Sequence, residues 1–114
     1  MPVAVSLIVP ARDAAATLPA LFDALDALEP VDGGHEVVLV DDGSADATAA
    51  IARQRGARVV EGPGAGPARA RNAGAAAASG EVLAFTDADC APAPGWLRAA
   101  LAAVADGADL VQGA

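Results

Sequence analysis

The chain of 114 residues contains no lysine and no tyrosine, and it has one cysteine, one histidine, one tryptophan and two phenylalanines. Each shortage removes a class of chemistry. Without lysine there is neither a Walker phosphate loop nor a Schiff-base nucleophile. Cys90 alone closes no internal disulfide and completes no zinc cluster of the usual cysteine and histidine type. His35 stands where a strand is predicted to start. Open parallel sheets bind ligands beyond the carboxyl ends of their strands, so His35 is expected at the wrong edge for a general base. Positive charge is scarce as well: seven basic residues face 15 acidic ones, for a formal net charge of -8. That balance argues against nucleic acid or an anionic membrane surface as the main partner, and any anionic ligand has to be met locally. No apolar run reaches the length of a bilayer span, and no charged segment followed by an apolar stretch opens the chain. The expectation is a soluble, cytoplasmic protein with a single domain over 1–114.

What is present is an alternation of two periods. Five β-type runs, "VAVSLIVP" from Val3, "EVVLV" from Glu36, "ARVVE" from Ala57, "EVLAFT" from Glu81 and "DLVQG" from Asp109, are separated by helix-length segments. Continuous apolar strands of this kind belong to parallel sheets covered on both faces. In the first helix Leu18, Leu21, Phe22, Leu25 and Leu28 recur at three and four residues, with Thr17 as its expected cap and Pro19 in its first turn. The second is expected from a cap at Asp46 to a stop at Gly56. The third follows "GPGAGP" and is expected to stop at Gly80. Gly74 inside it costs about 1 kcal/mol against alanine unless close packing or a ligand needs the space. The fourth opens at Pro94 and turns Trp96, Leu97, Ala100, Leu101 and Val104 to the core. The predicted fold class is α/β: a Rossmann-like, doubly wound, mostly parallel sheet with helices on both faces.

The polar residues collect in three strand-to-helix connections: "PARD" (Pro10 to Asp13), "DDGS" (Asp41 to Ser44) and "TDADC" (Thr86 to Cys90). Short polar side chains at such places can simply cap the next helix, as Asp13, Ser44 and Asp46 are suited to do. Capping does not explain doubled carboxylates at two strand ends, Asp41 beside Asp42 and Asp87 near Asp89. Like charges so placed call for a cation. The stretch from Gly62 to Gly80 has no acidic residue but carries Arg69 and Arg71. Residues two apart on a helix point to nearly opposite sides, so one of the pair faces the strand ends and the other is solvated. A planar guanidinium suits phosphate. Together these groups suit a nucleotide diphosphate bound with a divalent metal, Mg2+ or Mn2+, with one carboxylate edge for base and ribose and the other for the ion.

The ordered segments "VSLIVPARDAAATL", "EVVLVDDGSADAT" and "GPARARNAGAAAASGEVLAFTDADCAPAPGWL" resemble family 2 glycosyltransferases of the GT-A fold over the whole chain. A single D-x-D is weak evidence, whereas three motifs in order at the right strand ends are specific. The resemblance implies transfer of a sugar from a nucleotide-diphosphate donor to an acceptor hydroxyl, usually with inversion. It assigns the backbone of Pro10, Ala11 and Arg12, with Asp41, to the nucleobase, and gives Asp42 a supporting role. Arg71 falls near the base or diphosphate, with Asn72 and Gly74 completing its motif. Asp87 falls at the ribose or the metal shell, and Asp89 is the metal ligand. Asp13 stands where the family often has asparagine.

The same resemblance identifies residues 1–114 as the nucleotide-sugar-binding half, with the acceptor-binding half and the general base expected beyond residue 114. Uridine and guanosine donors both fit, and neither the acceptor nor an oligomeric state is specified. Two alternatives share the layout: a non-catalytic sugar-nucleotide-binding module and a sugar-phosphate nucleotidyltransferase. The second should carry a glycine-rich loop with arginine and lysine after the first strand, which "VPARDAAAT" lacks. A dinucleotide-dependent oxidoreductase would need G-x-G-x-x-G at that place. A phospho-acceptor receiver would need a lysine.

Overall fold

Alternation at a period of two divides the side chains of each strand between two cores. Val5, Leu7, Val9 and Ala11 enter one, with Leu39 and Ala84 from neighbouring strands. Ile8, Val38, Val40 and Phe85 enter the other. The computed structural model describes residues 3–105 and 111–112. Within them the order is β1 (Val5–Ala11), α1 (Leu18–Asp26), β2 (His35–Asp41), α2 (Thr48–Gln54), β3 (Arg58–Glu61), α3 (Pro67–Ala77), β4 (Val82–Phe85), α4 (Trp96–Ala105) and β5 (Val111–Gln112). The five strands form one sheet in the order β3-β2-β1-β4-β5, and every described pairing is parallel. The rest of the run predicted from Asp109 lies outside the described residues.

Helices cover both faces, as the apolar strands require. Leu18, Leu21, Phe22 and Leu25 of α1 join Ala52 of α2 and Leu97 of α4 in the first core. Helix α3 closes the other face through Ala70. It carries alanines and no large apolar side chain, which is compatible with this because it sits close to the sheet. A Cβ added to Gly74 would lie 2.5 Å from Ile8 Cγ2 and 2.9 Å from Val40 Cγ2, so the glycine is there for packing. Gly80 has a different role from the predicted helix stop. Helix α3 ends at Ala77 and Ala78 is already extended, whereas a Cβ at Gly80 would come within 2.6 Å of the Ser6 backbone nitrogen. Gly56 does end α2 as predicted, with φ 88°, a conformation that favours glycine. Thr17 occupies the cap position of α1 without a side-chain cap bond; its hydroxyl donates instead to the Ala14 carbonyl at 3.2 Å. Helix α4 begins at Trp96 rather than Pro94, after a turn in which Trp96 N–H donates to the Ala93 carbonyl at 2.9 Å.

The amino edge of the sheet is held by a polar knot around Glu36. Its carboxylate accepts from the Ser6 hydroxyl, from Ser79 N–H at 2.8 Å and from the Ser79 hydroxyl at 3.0 Å, and pairs with Arg58 at 3.2 Å. Gly80 N–H donates to the Ser6 hydroxyl at 2.8 Å, so β1, β2, β3 and the α3–β4 connection meet here. Desolvation pushes the Glu36 carboxyl upward, but the hydrogen bonds from Ser6 and Ser79 and the charge of Arg58 outweigh it and hold the group below its usual value. His35 lies at this same edge, opposite Val5 in register, and burial lowers its pKa. It is therefore remote from the carboxyl ends of the strands, as its place in the sequence predicts.

Two outcomes follow from this packing. Gly74→Ala improves helix propensity but forces a methyl group onto two buried side chains, and it should destabilise the fold by about 1–2 kcal/mol in urea denaturation. Glu36→Gln should lower stability at neutral pH by about 1–2 kcal/mol. Because the folded pKa of Glu36 is depressed, its contribution is complete above the ordinary value of 4.5 and disappears as pH falls through the folded value. Wild type and variant should thus converge in acid, and a gap that persists unchanged there would contradict the assignment.

Candidate functional site

The strand order places β1 between β2 and β4. Successive strands run one way from β1 to β3 and the other way from β4, which opens a crevice at the carboxyl ends where β1 and β4 adjoin. The three polar connections predicted from sequence follow β1, β2 and β4 and therefore share this edge.

Two of them are clamped to each other. Asp13 takes φ 50°, a left-handed conformation that aspartate and asparagine tolerate better than most side chains. Its carboxylate accepts from Ala45 N–H at 2.7 Å, and its own N–H donates to the Ser44 hydroxyl at 2.9 Å. Ala14 N–H donates to the buried Thr48 hydroxyl at 2.9 Å, and Ala15 N–H to Asp46 at 3.1 Å. Asp46 also accepts from Thr48 N–H at 3.0 Å and from the Thr48 hydroxyl. That hydroxyl is the largest of the influences lowering its carboxyl pKa; desolvation opposes it and the amides of Ala15 and Thr48 add to it. Asp46 braces the start of α2 from one residue before the cap position, which is Ala47 rather than the predicted Asp46, and Asp13 and Ser44 do not cap their own helices. They bond across from one loop to the other. Asp41, at the end of β2, accepts from Ser44 N–H at 3.0 Å and completes the platform.

Asp42 does separate work. It is 4% exposed, and its two carboxylate oxygens accept from Gly64 N–H at 2.7 Å and Gly66 N–H at 3.1 Å. The β3–α3 loop is thereby tied to the end of β2, and Gly66 (φ 103°) turns the chain into α3 with Pro67 in its first turn. Between the end of β1 and the start of α3 lies a slot of about 230 Å³. Pro10, Ala11 and Arg12 line it from β1 and its loop, Gly66, Pro67 and Ala70 line it from α3, and Asp42 adjoins them. A second hollow, about 340 Å³, shares Pro10, Ala11 and Arg12 and extends past Asp13, Ala14 and Thr17 to Ala88 and Asp89.

The metal edge predicted from "TDADC" brings one donor atom each from Asp87, Asp89 and Cys90 within 4.8 Å of one another. Cys90 Sγ stands 3.9 Å from Asp89 Oδ1. Two carboxylates of this kind fit Mg2+ or Mn2+, which prefer oxygen ligands, whereas the thiol is a softer neighbour. Of the two arginines on α3, Arg69 is exposed and Arg71 turns to the site, with Nη2 3.5 Å from Asp87 Oδ1. Arg71 Nε is buried without a partner, as is the Thr86 hydroxyl. A buried donor left unpaired is unfavourable, so the surroundings of Arg71 fit an incoming acceptor such as a phosphate oxygen. Arg12 is exposed at the rim.

The edge thus gathers Pro10, Ala11, Arg12, Asp41 and Asp42 around β1 and β2, and Arg71, Asp87 and Asp89 around α3 and β4. Sequence reasoning did not find Thr48, Gly64 or Gly66, whose partners stand far away in the chain. Cys90, a solitary cysteine, forms no recognised metal motif by itself. Its signal was its place directly after Asp89.

The sequence model described as glycosyl transferase family 2 matches residues 6–114. The chain is 34% identical over 116 aligned residues to glycosyltransferase AglE of Haloferax volcanii, covering 96% of this chain and 38% of that protein. Among solved structures it is similar to S. aureus TarS 1-349 in complex with UDP-GlcNAc, with a TM-score of 0.78 and 28% identity over 90% of this chain and 31% of that one. It is also similar to glucosyl-3-phosphoglycerate synthase of Mycobacterium tuberculosis in complex with Mn2+, UDP and glucosyl-3-phosphoglycerate. There the TM-score is 0.70 and the identity 32%, over 83% of this chain and 37% of that one. The chain spans less than half the length of the curated relatives it matches. Among the described residues no helix is long and apolar enough to cross a membrane. With the three strand-end motifs on one edge of a parallel sheet and the match running through all of them, this chain belongs to glycosyl transferase family 2 and has its GT-A fold.

Proposed function

We propose that residues 1–114 form the donor-binding half of an inverting glycosyltransferase, which holds a nucleotide-diphosphate sugar with Mg2+ or Mn2+ for transfer of the sugar to an acceptor hydroxyl. One observation carries this reading: the apolar slot, the half-buried Arg71 with its unpartnered Nε, and the Asp87 and Asp89 carboxylates converge on one sheet edge. The slot, with the Pro10 to Arg12 backbone, takes the nucleobase, and Asp41, at the end of β2 on the opposite face, is assigned to the same group by the family resemblance. Asp42 acts through the loop it holds. Arg71 meets the diphosphate or the base, Asp87 the ribose or the metal shell, and Asp89 the ion. The UDP-GlcNAc of TarS and the UDP and Mn2+ of glucosyl-3-phosphoglycerate synthase support the same ligand classes here.

In the reaction a bond forms from the acceptor oxygen to the anomeric carbon as the bond from that carbon to the diphosphate oxygen breaks, and the electron pair leaves on the diphosphate. The bound ion supplies positive charge where that negative charge develops. The residues of this chain orient the donor and hold its phosphates. The acceptor proton passes to a general base that no residue of 1–114 is assigned to supply.

Titration calorimetry with UDP and with GDP tests the proposal. Binding in Mn2+ or Mg2+ should be about tenfold or more tighter than in EDTA, the range expected for charge-assisted contacts. Asp89→Ala should abolish that difference. Asp41→Ala should weaken nucleotide binding and leave the metal dependence in place, because Asp41 stands on a separate strand end. Equal affinity in EDTA would overturn the metal assignment, and unchanged affinity in Asp41→Ala would remove that residue from the site.

A further inference from the structure

Arg71 is paired but not satisfied. A guanidinium matched to a carboxylate engages it through two parallel bonds of about 2.8 Å. Here one nitrogen reaches one oxygen of Asp87 at 3.5 Å, with the side chains 33% and 49% exposed, while Nε stays buried without an acceptor. The same Asp87 contributes an oxygen to the cluster that Asp89 and Cys90 complete. One carboxylate is therefore claimed from two sides: by a fixed cation on α3 and by whatever cation the cluster binds.

We propose that Arg71 is an internal counter-ion of this edge, one that neutralises Asp87 before any ion is bound and is released to the phosphate oxygens when ion and nucleotide bind together. This rests on the reading of the site as a metal and nucleotide site, and it adds a rule of coupling to it. While Arg71 faces Asp87, its charge opposes a divalent cation at the same carboxylate. A diphosphate offers the guanidinium more negative charge and a partner for Nε, so nucleotide binding frees Asp87 for the ion. Coupling of this kind is reciprocal: each ligand strengthens the other by the same factor. A partly exposed pair shifts affinity several-fold rather than by orders of magnitude.

The test measures Mn2+ binding to the 114-residue chain by the electron paramagnetic resonance of the free ion, first without nucleotide and then with UDP or GDP. Without nucleotide, Arg71→Gln should bind Mn2+ about three- to tenfold more tightly than wild type, and the difference should shrink as salt is raised. The factor by which nucleotide tightens Mn2+ binding should be smaller in the variant. Arg71→Lys, which keeps the charge but loses the planar fork, should resemble wild type with Mn2+ alone and show reduced coupling to nucleotide. Circular dichroism and thermal melting check that each variant is folded. Arg71→Met, which keeps an aliphatic stem, replaces the glutamine variant if that one is not. Equal or weaker Mn2+ binding by the neutral variants, in a wild-type chain that does bind Mn2+, overturns the counter-ion role alone. Absence of Mn2+ binding from wild type and variants alike, with or without nucleotide, overturns the reading of the site on which it rests.

Discussion

The carboxylate of Asp42, buried at the end of β2, is the interaction on which the rest of the site depends. A buried charge is tolerated only where hydrogen bonds replace its water, and here two backbone N–H groups of the glycine-rich loop do so. The bonds that satisfy the charge also fix where α3 begins. Helix α3 then stands over β1 and β2 close enough that Gly74 has no room for a side chain. From that placement follow the width of the slot beside Pro10 and the reach of Arg71 toward Asp87.

Polar contacts at the two edges of the sheet do opposite kinds of work. At the amino edge, the carboxylate of Glu36 is surrounded by donors and pairs with Arg58, and it has little capacity left for a ligand. That is a fastening. At the carboxyl edge the first two loops are fastened to each other through Asp13, Ser44, Asp46 and Thr48, but the groups nearest the crevice are left incomplete. Arg71 Nε and the Thr86 hydroxyl lack partners, and two carboxylates stand together. A rigid platform carrying unsatisfied groups is what preorganised binding of a charged ligand requires, because the loops need not be ordered when the ligand arrives.

Much of this was legible from residue order. The apolar runs at period two and the stripe from Leu18 to Leu25 predicted the alternating elements, and the sheet with helices on both faces agrees with them. The doubled aspartates marked the carboxyl edge, and the two-residue spacing of Arg69 and Arg71 implied that one of them would face it, which is Arg71. The errors were local in kind. Asp13, Ser44 and Thr17 were expected to cap the nearest helix, since a short polar side chain beside a helix start most often bonds within its own turn. Asp13 and Ser44 instead found partners in each other's loop, 31 and 32 residues away in the chain, which no local rule reports. Gly80 has the sequence context of a helix stop, but what it accommodates is the backbone of Ser6 on another strand.

The sequence by itself determined the elements, the fold class, the family and the chemical character of each strand end, because these depend on periodicity, on the turn residues and on which side chains are present at all. Only the tertiary structure decided which carboxylates remain available. Asp41 and Asp42 are neighbours of identical type. Yet Asp42 points to the face covered by α3 and is consumed by Gly64 and Gly66, while Asp41 points to the other face and braces Ser44. Alternation along a strand sends adjacent residues to opposite sides, and what waits on each side is set by segments distant in the chain. The same reason places Arg71 against Asp87, a meeting of α3 and β4 that exists only once both have packed against the sheet.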